Sequence, residues 1–300
     1  MTIARAITLV AAVVACAGSC KMSPAKAEQL RTLEVERKQQ LARRIAVADA
    51  NPTTTLPVAI WLMPHELKEI SGLALTADGH VLTHDDNFGR VYEIDPKTGI
   101  LLKAFSLEGT PRGDFEAITI AGTDIYLLQS KGRIFKFKEG ADRQEVPYSI
   151  YDTGLRKQCE LESMAFEADS SRLLLVCKKF LTKNAPHELL IYRWPLPIGD
   201  PSTMTALRIP IEDVIGSNKW KNFHPSDINI DPITKNYVIV ASHEKGLVVI
   251  TPDGNVVRSE PLPGDHRQPE GVAVTKDSLL MVSDEANVKP AAITLYRWRP

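Results

Sequence analysis

Five short stretches of the chain share one pattern, in which a polar start leads into an alternating apolar run. Each has a carboxylate or hydroxyl residue at its third position and continues as a strand-like sequence. The stretches are EISGLAL (69–75), DFEAITI (114–120), ELESMAF (160–166), HPSDINI (224–230) and QPEGVAV (268–274). Five occurrences of one pattern indicate an internal repeat.

The spacing of these stretches is typical of propeller blades. Their third positions are 45, 46, 64 and 44 residues apart, and a four-stranded blade takes about 40 to 45 residues. Further strand-like segments follow each stretch, separated by turn sequences such as ADG, PKTG and PDGN. The extra length of the third repeat, about residues 181–223, is predicted to form an elongated hairpin and a loop over one face.

The two ends of the repeat region are predicted to complete one blade. The fifth repeat contains three strand-like segments, and LPVAIWLMP (56–64) precedes the first repeat without belonging to a blade. If this segment supplied the missing outer strand of the fifth blade, it would close the circle of blades and cover an otherwise exposed sheet edge. We therefore predict an all-β fold, a five-bladed β-propeller over residues 55–300, closed by an N-terminal strand.

The first 20 residues have the pattern of an export signal. One positive charge in MTIAR precedes an uncharged run over residues 6–20, which is short for a membrane span and suits a secretory signal. Small residues before Cys20 resemble a bacterial lipoprotein processing site, with Cys16 as a second candidate. An ordinary signal peptide or an uncleaved anchor is the alternative. All of these interpretations of the N-terminal segment predict a membrane-anchored or exported protein of the bacterial cell envelope, on the periplasmic side.

Residues 21–54 differ in composition from the predicted propeller. They are charged, rich in Ala, Leu, Glu, Lys and Arg, and carry only a weak apolar stripe before the polar stretch NPTTT. This composition predicts a solvated helical tether and a short linker.

Composition and cysteine content limit the class of protein further. The chain has 300 residues, 44% of them hydrophobic, and a formal net charge of −1. A near-neutral charge argues against nucleic acid as a partner. Cys159 and Cys177 flank one predicted hairpin, and in an exported chain they could form a disulfide or remain as two buried free thiols.

The third positions of the five stretches are expected to meet at the centre of the propeller, because the first strand of each blade lines the central channel. These residues, called the ring below, are Ser71, Glu116, Glu162, Ser226 and Glu270. Buried carboxylates at close range repel one another. A hard dication such as Ca²⁺ accepts carboxylate and hydroxyl oxygens and would relieve that repulsion. The alternative is that the ring satisfies backbone donors, binds channel water or shares protons.

The five stretches resemble the SdiA-regulated (YjiK-like) family of bacterial envelope proteins, over about residues 56–298. The order Ser, Glu, Glu, Ser, Glu is also similar to the calcium-activated nucleotidase (soluble apyrase) propellers, which have five blades and hold Ca²⁺ in the central tunnel. The second resemblance covers the ring alone and implies that its five residues are Ca²⁺ ligands. No activity follows from the first.

One face of the propeller is predicted to gather charged side chains, where second strands end and first strands begin. The candidate ligand-binding residues there are Asp85, Asp86, Arg112, Lys131, Lys178, Lys179, His243, Arg267 and Asp284. Basic side chains above a bound cation suit an anion such as a phosphate or carboxylate.

The sequence contains no Ser-His-Asp nucleophile motif, phosphate-cradling glycine loop or HExxH helix. The leading hypothesis is therefore a non-catalytic, Ca²⁺-binding envelope propeller that presents one face to an anionic small molecule, a glycan or an envelope protein. The alternative is a Ca²⁺-dependent hydrolase of a phosphorylated or other anionic substrate.

Overall fold

The computed structural model describes residues 23–183 and 186–300, and its strands form five sheets. Blade 1 contains β2 (Ile70–Leu75), β3 (Val81–Asp85), β4 (Arg90–Asp95) and β5 (Ile100–Leu107). Blade 2 contains β6 (Phe115–Ala121), β7 (Asp124–Gln129), β8 (Arg133–Lys138) and β10 (Tyr148–Asp152). Blade 3 contains β11 (Cys159–Glu167), β12 (Arg172–Phe180), β13 (Glu188–Pro195) and β14 (Thr205–Pro210). Blade 4 contains β15 (Pro225–Ile230), β16 (Tyr237–Ala241), β17 (Gly246–Ile250) and β18 (Val256–Pro261). Blade 5 contains β19 (Pro269–Val274), β20 (Leu279–Asp284), β21 (Ala292–Arg297) and β1 (Ala59–Leu62).

The five blades surround a central axis. Their first strands pack side by side in the order β2, β6, β11, β15 and β19, and β19 packs against β2. The circle is therefore closed, and the predicted five-bladed all-β propeller is confirmed.

The predicted closure by the N-terminal strand is also confirmed. β1 is the outer strand of blade 5 and runs antiparallel to β21, with Ala59 opposite Leu295 and Leu62 opposite Ala292. Just before β1, the amide of Val58 donates to the carbonyl of Leu295 at 2.8 Å. This strand takes the edge that β21 would otherwise expose to other chains.

The hydrophobic core lies between the blades. Five clusters of buried side chains occur, one at each interface between neighbouring blades. The largest fully buried side chains include Phe105 and Phe115 between blades 1 and 2, Trp194 in the cluster of blades 2 and 3, and Tyr237 between blades 3 and 4. Since both faces of each sheet are covered, strands such as β16 read as continuous apolar runs.

Blade 2 adds one feature that the repeat pattern does not contain. Between β8 and β10, the two-residue strand β9 (Glu145–Val146) leaves its own blade and pairs in parallel with the outer strand β5 of blade 1. This pairing ties the outer edges of two neighbouring blades together.

The extra length of the third repeat forms ordered structure. It supplies β13, β14 and the short helix α2 (Ile211–Ile215), whose Ile211 and Val214 are buried between blades 3 and 4. The β11–β12 hairpin is long, with nine residues in each strand. Cys159 on β11 and Cys177 on β12 form a disulfide with their Cα atoms 5.7 Å apart.

The predicted helix before the propeller is present as α1 (Pro24–Ala50). Ser23 caps it, because its hydroxyl accepts the Lys26 amide at 3.3 Å. In its C-terminal half, Leu41 and Ala48 are buried in the cluster between blades 5 and 1. Here α1 differs from the predicted solvated tether, since this half is part of the folded body.

Polar contacts hold the same half of α1 against the propeller. Arg37 donates to the carbonyl of Thr98 at 2.5 Å, and Arg297 donates to Asp49 at 2.6 Å. None of the helices described in residues 23–183 and 186–300 is both long and apolar enough to cross a membrane. The predicted signal segment and the lipidation site at Cys20 lie outside the described residues.

Candidate metal centre

Each first strand is irregular at the residue predicted to belong to the ring. On β6, Phe115 pairs with Gln129 and Ala117 pairs with Leu128, so Glu116 has no partner on β7. Register shifts on the other first strands also leave out a ring residue, namely Glu162, Ser226 and Glu270 singly and Ser71 together with Gly72. A β-bulge bends a strand and redirects a side chain. The backbone therefore makes the five positions equivalent, in agreement with the repeat pattern.

The first strands approach each other closely at this level of the axis. A Cβ atom on Gly271 would lie 2.6 Å from the carbonyl oxygen of Ser71, and one on Gly72 would lie 3.2 Å from the Cα of Ala117. Position 271 therefore requires glycine, because the neighbouring backbone fills the space that a side chain would occupy. The close approach of the first strands places the ring side chains around one axis, where the carboxylates of Glu116, Glu162 and Glu270 act on one another electrostatically.

The two serines of the ring connect neighbouring blades. The hydroxyl of Ser71 donates to the carbonyl of Glu116 at 3.1 Å, and that of Ser226 donates to the carbonyl of Pro269 at 2.7 Å. Each hydroxyl uses its proton in this bond and keeps oxygen lone pairs available. The serines can therefore serve the structure and still offer an oxygen to a cation.

The three glutamates of the ring are in electrostatic conflict. Burial, together with the neighbouring Glu162 and Asp114 carboxylates, raises the pKa of Glu116 to about 10. Burial also raises the pKa of Glu162 to about 7 and raises the pKa of Glu270. Three ionised carboxylates at this site would repel one another in a region shielded from water.

Lys178 enters the ring from β12. It forms an ion pair with Glu162, and its charge also acts on Glu116 and Glu270. Lys178 was predicted to lie on the face above the ring, but the structure places its ammonium group among the ring carboxylates. One ammonium offsets part of the charge of three carboxylates and leaves the site favourable for a further cation.

Asp227 is an axial residue that the repeat pattern did not single out. Its side chain is fully buried and accepts the amides of Val272 at 2.8 Å and Leu73 at 3.5 Å. Burial raises its pKa well above the usual range. A signal was present, because the fourth position of the other stretches holds Gly, Ala or Ser. Asp227 links blade 4 to blades 5 and 1 beside the ring.

A second acidic group lies on the ring face, which is the propeller face where the first strands begin. Ligand atoms of Glu69, Asp85 and Asp86 lie within 4.8 Å of one another. Burial, with the charges of Glu69, Asp85 and Glu285, raises the pKa of Asp86 to about 7. Asp85 and Asp86 were predicted ligand-binding residues, and the structure brings them together.

Two predicted ligand-binding carboxylates have partners within the fold. Asp85 accepts the amides of Asn87 and Phe88 at 2.9 and 3.0 Å, which fixes the turn after β3. Asp284 accepts the amides of Arg267 and Gln268 at 2.9 and 3.1 Å, which fixes the loop before β19. Much of their hydrogen-bonding capacity is therefore used to shape the ring face.

The predicted basic residues of the ring face have different surroundings. Arg112 lies over the ring of Phe88 at 5.1 Å, and Arg267 is 3.5 Å from Asp265. Lys131 and Lys179 are exposed. The face therefore mixes both signs of charge and is less basic than its loop sequences indicate.

His243 belongs to a further cluster on blade 4. With His224 and Glu244 it forms one of the groups whose ligand atoms lie within 4.8 Å of one another. Although burial opposes it, hydrogen bonds from His224 lower the pKa of Glu244 to about 2. The carboxylate is thus an anion held between two imidazoles.

The donor set of the ring fits a hard cation. It consists of carboxylate and hydroxyl oxygens with no nitrogen or sulfur ligand, which favours Ca²⁺ or a similar ion over zinc or copper. Among the described residues, the ring is not one of the groups whose carboxylate or imidazole ligand atoms all lie within 4.8 Å. The wider spacing of the ring ligand atoms would suit a site in which several waters complete the coordination shell. Ca²⁺ tolerates such irregular geometry.

The channel ends at the other face in a cavity of about 880 Å³. Its wall includes the far ends of all five first strands, with Leu75, Ile120, Phe166, Ile230 and Val274 among the lining residues. The carboxylates whose negative charges repel one another belong to the ring, which lies at the opposite end of these strands. We therefore assign the candidate site to the ring and not to this cavity.

Comparison with known sequences identifies a family for part of the chain. A sequence profile of the SdiA-regulated family matches residues 215–297, which contain all of blade 4 and the strands β19 to β21. Over this segment the chain matches the SdiA-regulated family. The resemblance predicted from the sequence is confirmed there. No curated protein sequence matches the chain.

Solved structures similar to this chain are propeller proteins with varied activities. Glutaminyl cyclase from Myxococcus xanthus has a TM-score of 0.51 at 11% identity, covering 80% of this chain and 95% of that one. The PQQ-bound aldose sugar dehydrogenase from Streptomyces coelicolor has a TM-score of 0.49 at 12% identity, with 79% and 97% covered. A streptogramin B lyase has a TM-score of 0.46 at 12% identity, with 79% and 96% covered. At such low identity these likenesses concern the fold alone.

Proposed function

We propose that the protein is a Ca²⁺-binding propeller of the bacterial cell envelope that presents its ring face to an anionic ligand, glycan or protein partner. The observation that carries the proposal is the ring itself. Five bulged strands bring three glutamates and two serines to one axis. Glu162 is buried and Glu116 and Glu270 are half-buried, and this burial raises the pKa of all three. A dication would stabilise the carboxylate forms that the protein alone disfavours.

An anionic partner is proposed because of the charges around the ring. A Ca²⁺ ion held by few protein oxygens keeps coordination positions for waters or for an external carboxylate or phosphate. Lys178 lies in the ring, and the exposed Lys131 and Lys179 are available at the ring face. Anchoring to the envelope rests on the signal-like sequence before residue 21.

Thermal unfolding of the full chain tests the Ca²⁺ site. Ca²⁺ at about 100 times its dissociation constant should add roughly 2.7 kcal/mol to the free energy of unfolding, because it binds only the folded state. We expect a rise in Tm of several degrees over chelator-treated protein, and the loss of that rise in Glu270→Gln. Glu36→Gln is the matched control, since Glu36 is exposed on α1.

Two results would refute the Ca²⁺ proposal. One is an unchanged Tm of the unaltered protein in millimolar Ca²⁺. The other is a full Ca²⁺-dependent rise that persists in Glu270→Gln, because Glu270 is a member of the ring and Glu36 is not. Folding of both variants is checked by circular dichroism before the comparison.

The second candidate function is a Ca²⁺-dependent hydrolase of a phosphorylated or other anionic substrate. It is favoured by Asp86, whose pKa is raised to about 7 by burial and by the neighbouring carboxylates, since a group that titrates near neutral pH is suited to acid–base catalysis. Nucleotide, phosphoester and lactone substrates, tested with Ca²⁺ and with chelator, separate the two functions. Turnover that needs Ca²⁺ and fails in Asp86→Asn would replace the binding-only proposal.

A further inference from the structure

Two histidines and a glutamate meet on blade 4, at the ring face but outside the ring. His224 directly precedes β15, and His243 and Glu244 lie in the turn after β16. The Nδ1 atoms of His224 and His243 are 2.7 and 3.0 Å from the same oxygen, Oε1 of Glu244. The imidazole ring centres are 5.5 Å apart. Three potential ligand atoms therefore already converge on one small volume.

The glutamate of this cluster is held in place by the backbone. Its second oxygen, Oε2, accepts the amide of His224 at 3.0 Å, and its side chain is 5% exposed. The other ring nitrogen of His224 lies 3.3 Å from the side-chain amide of Asn222. Partners behind the ligand atoms fix their orientation, as is usual around protein metal sites.

We propose that His224, His243 and Glu244 form a binding site for a borderline transition-metal dication, with Zn²⁺ as the defining ion. Two imidazole nitrogens and one carboxylate oxygen are a typical ligand set for this class of metal. Ligand atoms around a tetrahedral zinc are about 3.3 Å apart. The present N–O distances of 2.7 and 3.0 Å would need to open by about 0.6 and 0.3 Å to reach this value.

The site is open on one side. The side chain of His243 is 80% exposed, whereas those of His224 and Glu244 are 30% and 5% exposed. Three protein ligands leave the fourth position of a tetrahedral ion to water or to an external ligand. This fourth position would therefore be accessible from solvent on the ring face.

The proposed zinc site differs from the ring in chemistry and does not depend on it. The ring offers oxygen ligands alone, which suit Ca²⁺, and the blade 4 cluster offers nitrogen, which Ca²⁺ rarely uses. The two are neighbours, since Ser242, next to His243, hydrogen-bonds Glu270 of the ring. Variants can therefore remove either site and leave the ligands of the other in place.

The chain contains a matched control for the cluster. His187 and Glu212 form a histidine–glutamate pair with Nδ1 and Oε1 2.9 Å apart, which is close to the distances in the cluster. Both side chains are exposed, and the pair is not part of a three-ligand group among the described residues. A single exposed pair of this kind should bind Zn²⁺ only weakly.

Calorimetric titration of Zn²⁺ into the chelator-treated full chain, in excess Ca²⁺, tests the proposal. We expect one saturable site whose affinity falls by at least about tenfold in His243→Ala and is unchanged in His187→Ala. Co²⁺ as a substitute should give the visible absorption of a tetrahedral ion, lost in His243→Ala. His243 is exposed, so this variant should keep the fold.

The outcomes are distinct from those for the ring. His243→Ala should keep the Ca²⁺-dependent rise in Tm, and Glu270→Gln should keep Zn²⁺ binding. The proposal is overturned if Zn²⁺ does not saturate a single site, or if His243→Ala binds as tightly as the unaltered protein. Equal losses in His243→Ala and His187→Ala would also overturn it, because binding would then be non-specific surface binding.

Discussion

Glu116 shows how burial and charge compete at a single residue. Burial raises its pKa from an ordinary value of 4.5 to about 10, so the metal-free fold favours its protonated form. The stability linked to this proton is fully present below about pH 4.5 and is lost as the pH rises toward 10. The metal-free protein should therefore become less stable across neutral and alkaline pH.

Replacement of Glu116 by glutamine should remove that pH dependence. Glutamine stays neutral, so Glu116→Gln should raise the free energy of unfolding of chelator-treated protein at pH 8, by about 1 to 3 kcal/mol. The gain should vanish near pH 4. Urea unfolding at several pH values measures both effects, with Glu36→Gln as the control. A variant less stable than the unaltered protein at pH 8 would contradict this account of the ring.

At the scale of elements, substitutions in α1 test whether this helix packs against the propeller or is a free tether. Leu41 on α1 is 5% exposed and belongs to the cluster between blades 5 and 1, whereas Val35 on the same helix is 54% exposed. Leu41→Ala should lower the free energy of unfolding by about 2 to 3 kcal/mol through lost burial and a cavity. Val35→Ala should change it by less than about 0.5 kcal/mol. Urea unfolding compares the two.

Equal, negligible effects of Leu41→Ala and Val35→Ala would mean that α1 is a free tether in solution. That result would leave the propeller itself unaffected, because all members of the cluster except Leu41 and Ala48 come from blades 5 and 1 and from the segments beside β1. The two substitutions thus measure the contact of one element without disturbing the blades.

At the scale of the whole molecule, closure depends on β1. A chain that begins at residue 51 keeps β1 and lacks α1, and a chain that begins at residue 64 lacks both. The shorter chain leaves β21 as an exposed edge that can pair with other chains. We expect it to form larger species in size-exclusion chromatography, while the chain from residue 51 elutes according to its own mass. Identical elution of the two would show that β1 is not needed for closure.

Repetition made much of this architecture readable in the sequence. The blade count, the strands of blades 1, 4 and 5, the closing strand and the five ring positions follow from local alternation and a period near 45 residues. Such features need no knowledge of which distant residues meet. The bulge at each ring position agrees with that prediction, because equivalent sequence in each first strand produces equivalent backbone.

Only the tertiary structure decided which side chains meet across the repeats. Lys178 enters the ring, Asp227 bridges to blades 5 and 1, β9 joins a neighbouring blade, and α1 docks through Leu41. Each of these contacts is made by a side chain or segment that is not part of the repeat, so the spacing of the repeats cannot predict the contact. The sequence alone determined the five-bladed architecture and the five ring positions, because these features repeat along the chain. The charge balance of the ring was decided by non-repeated residues that folding brings together.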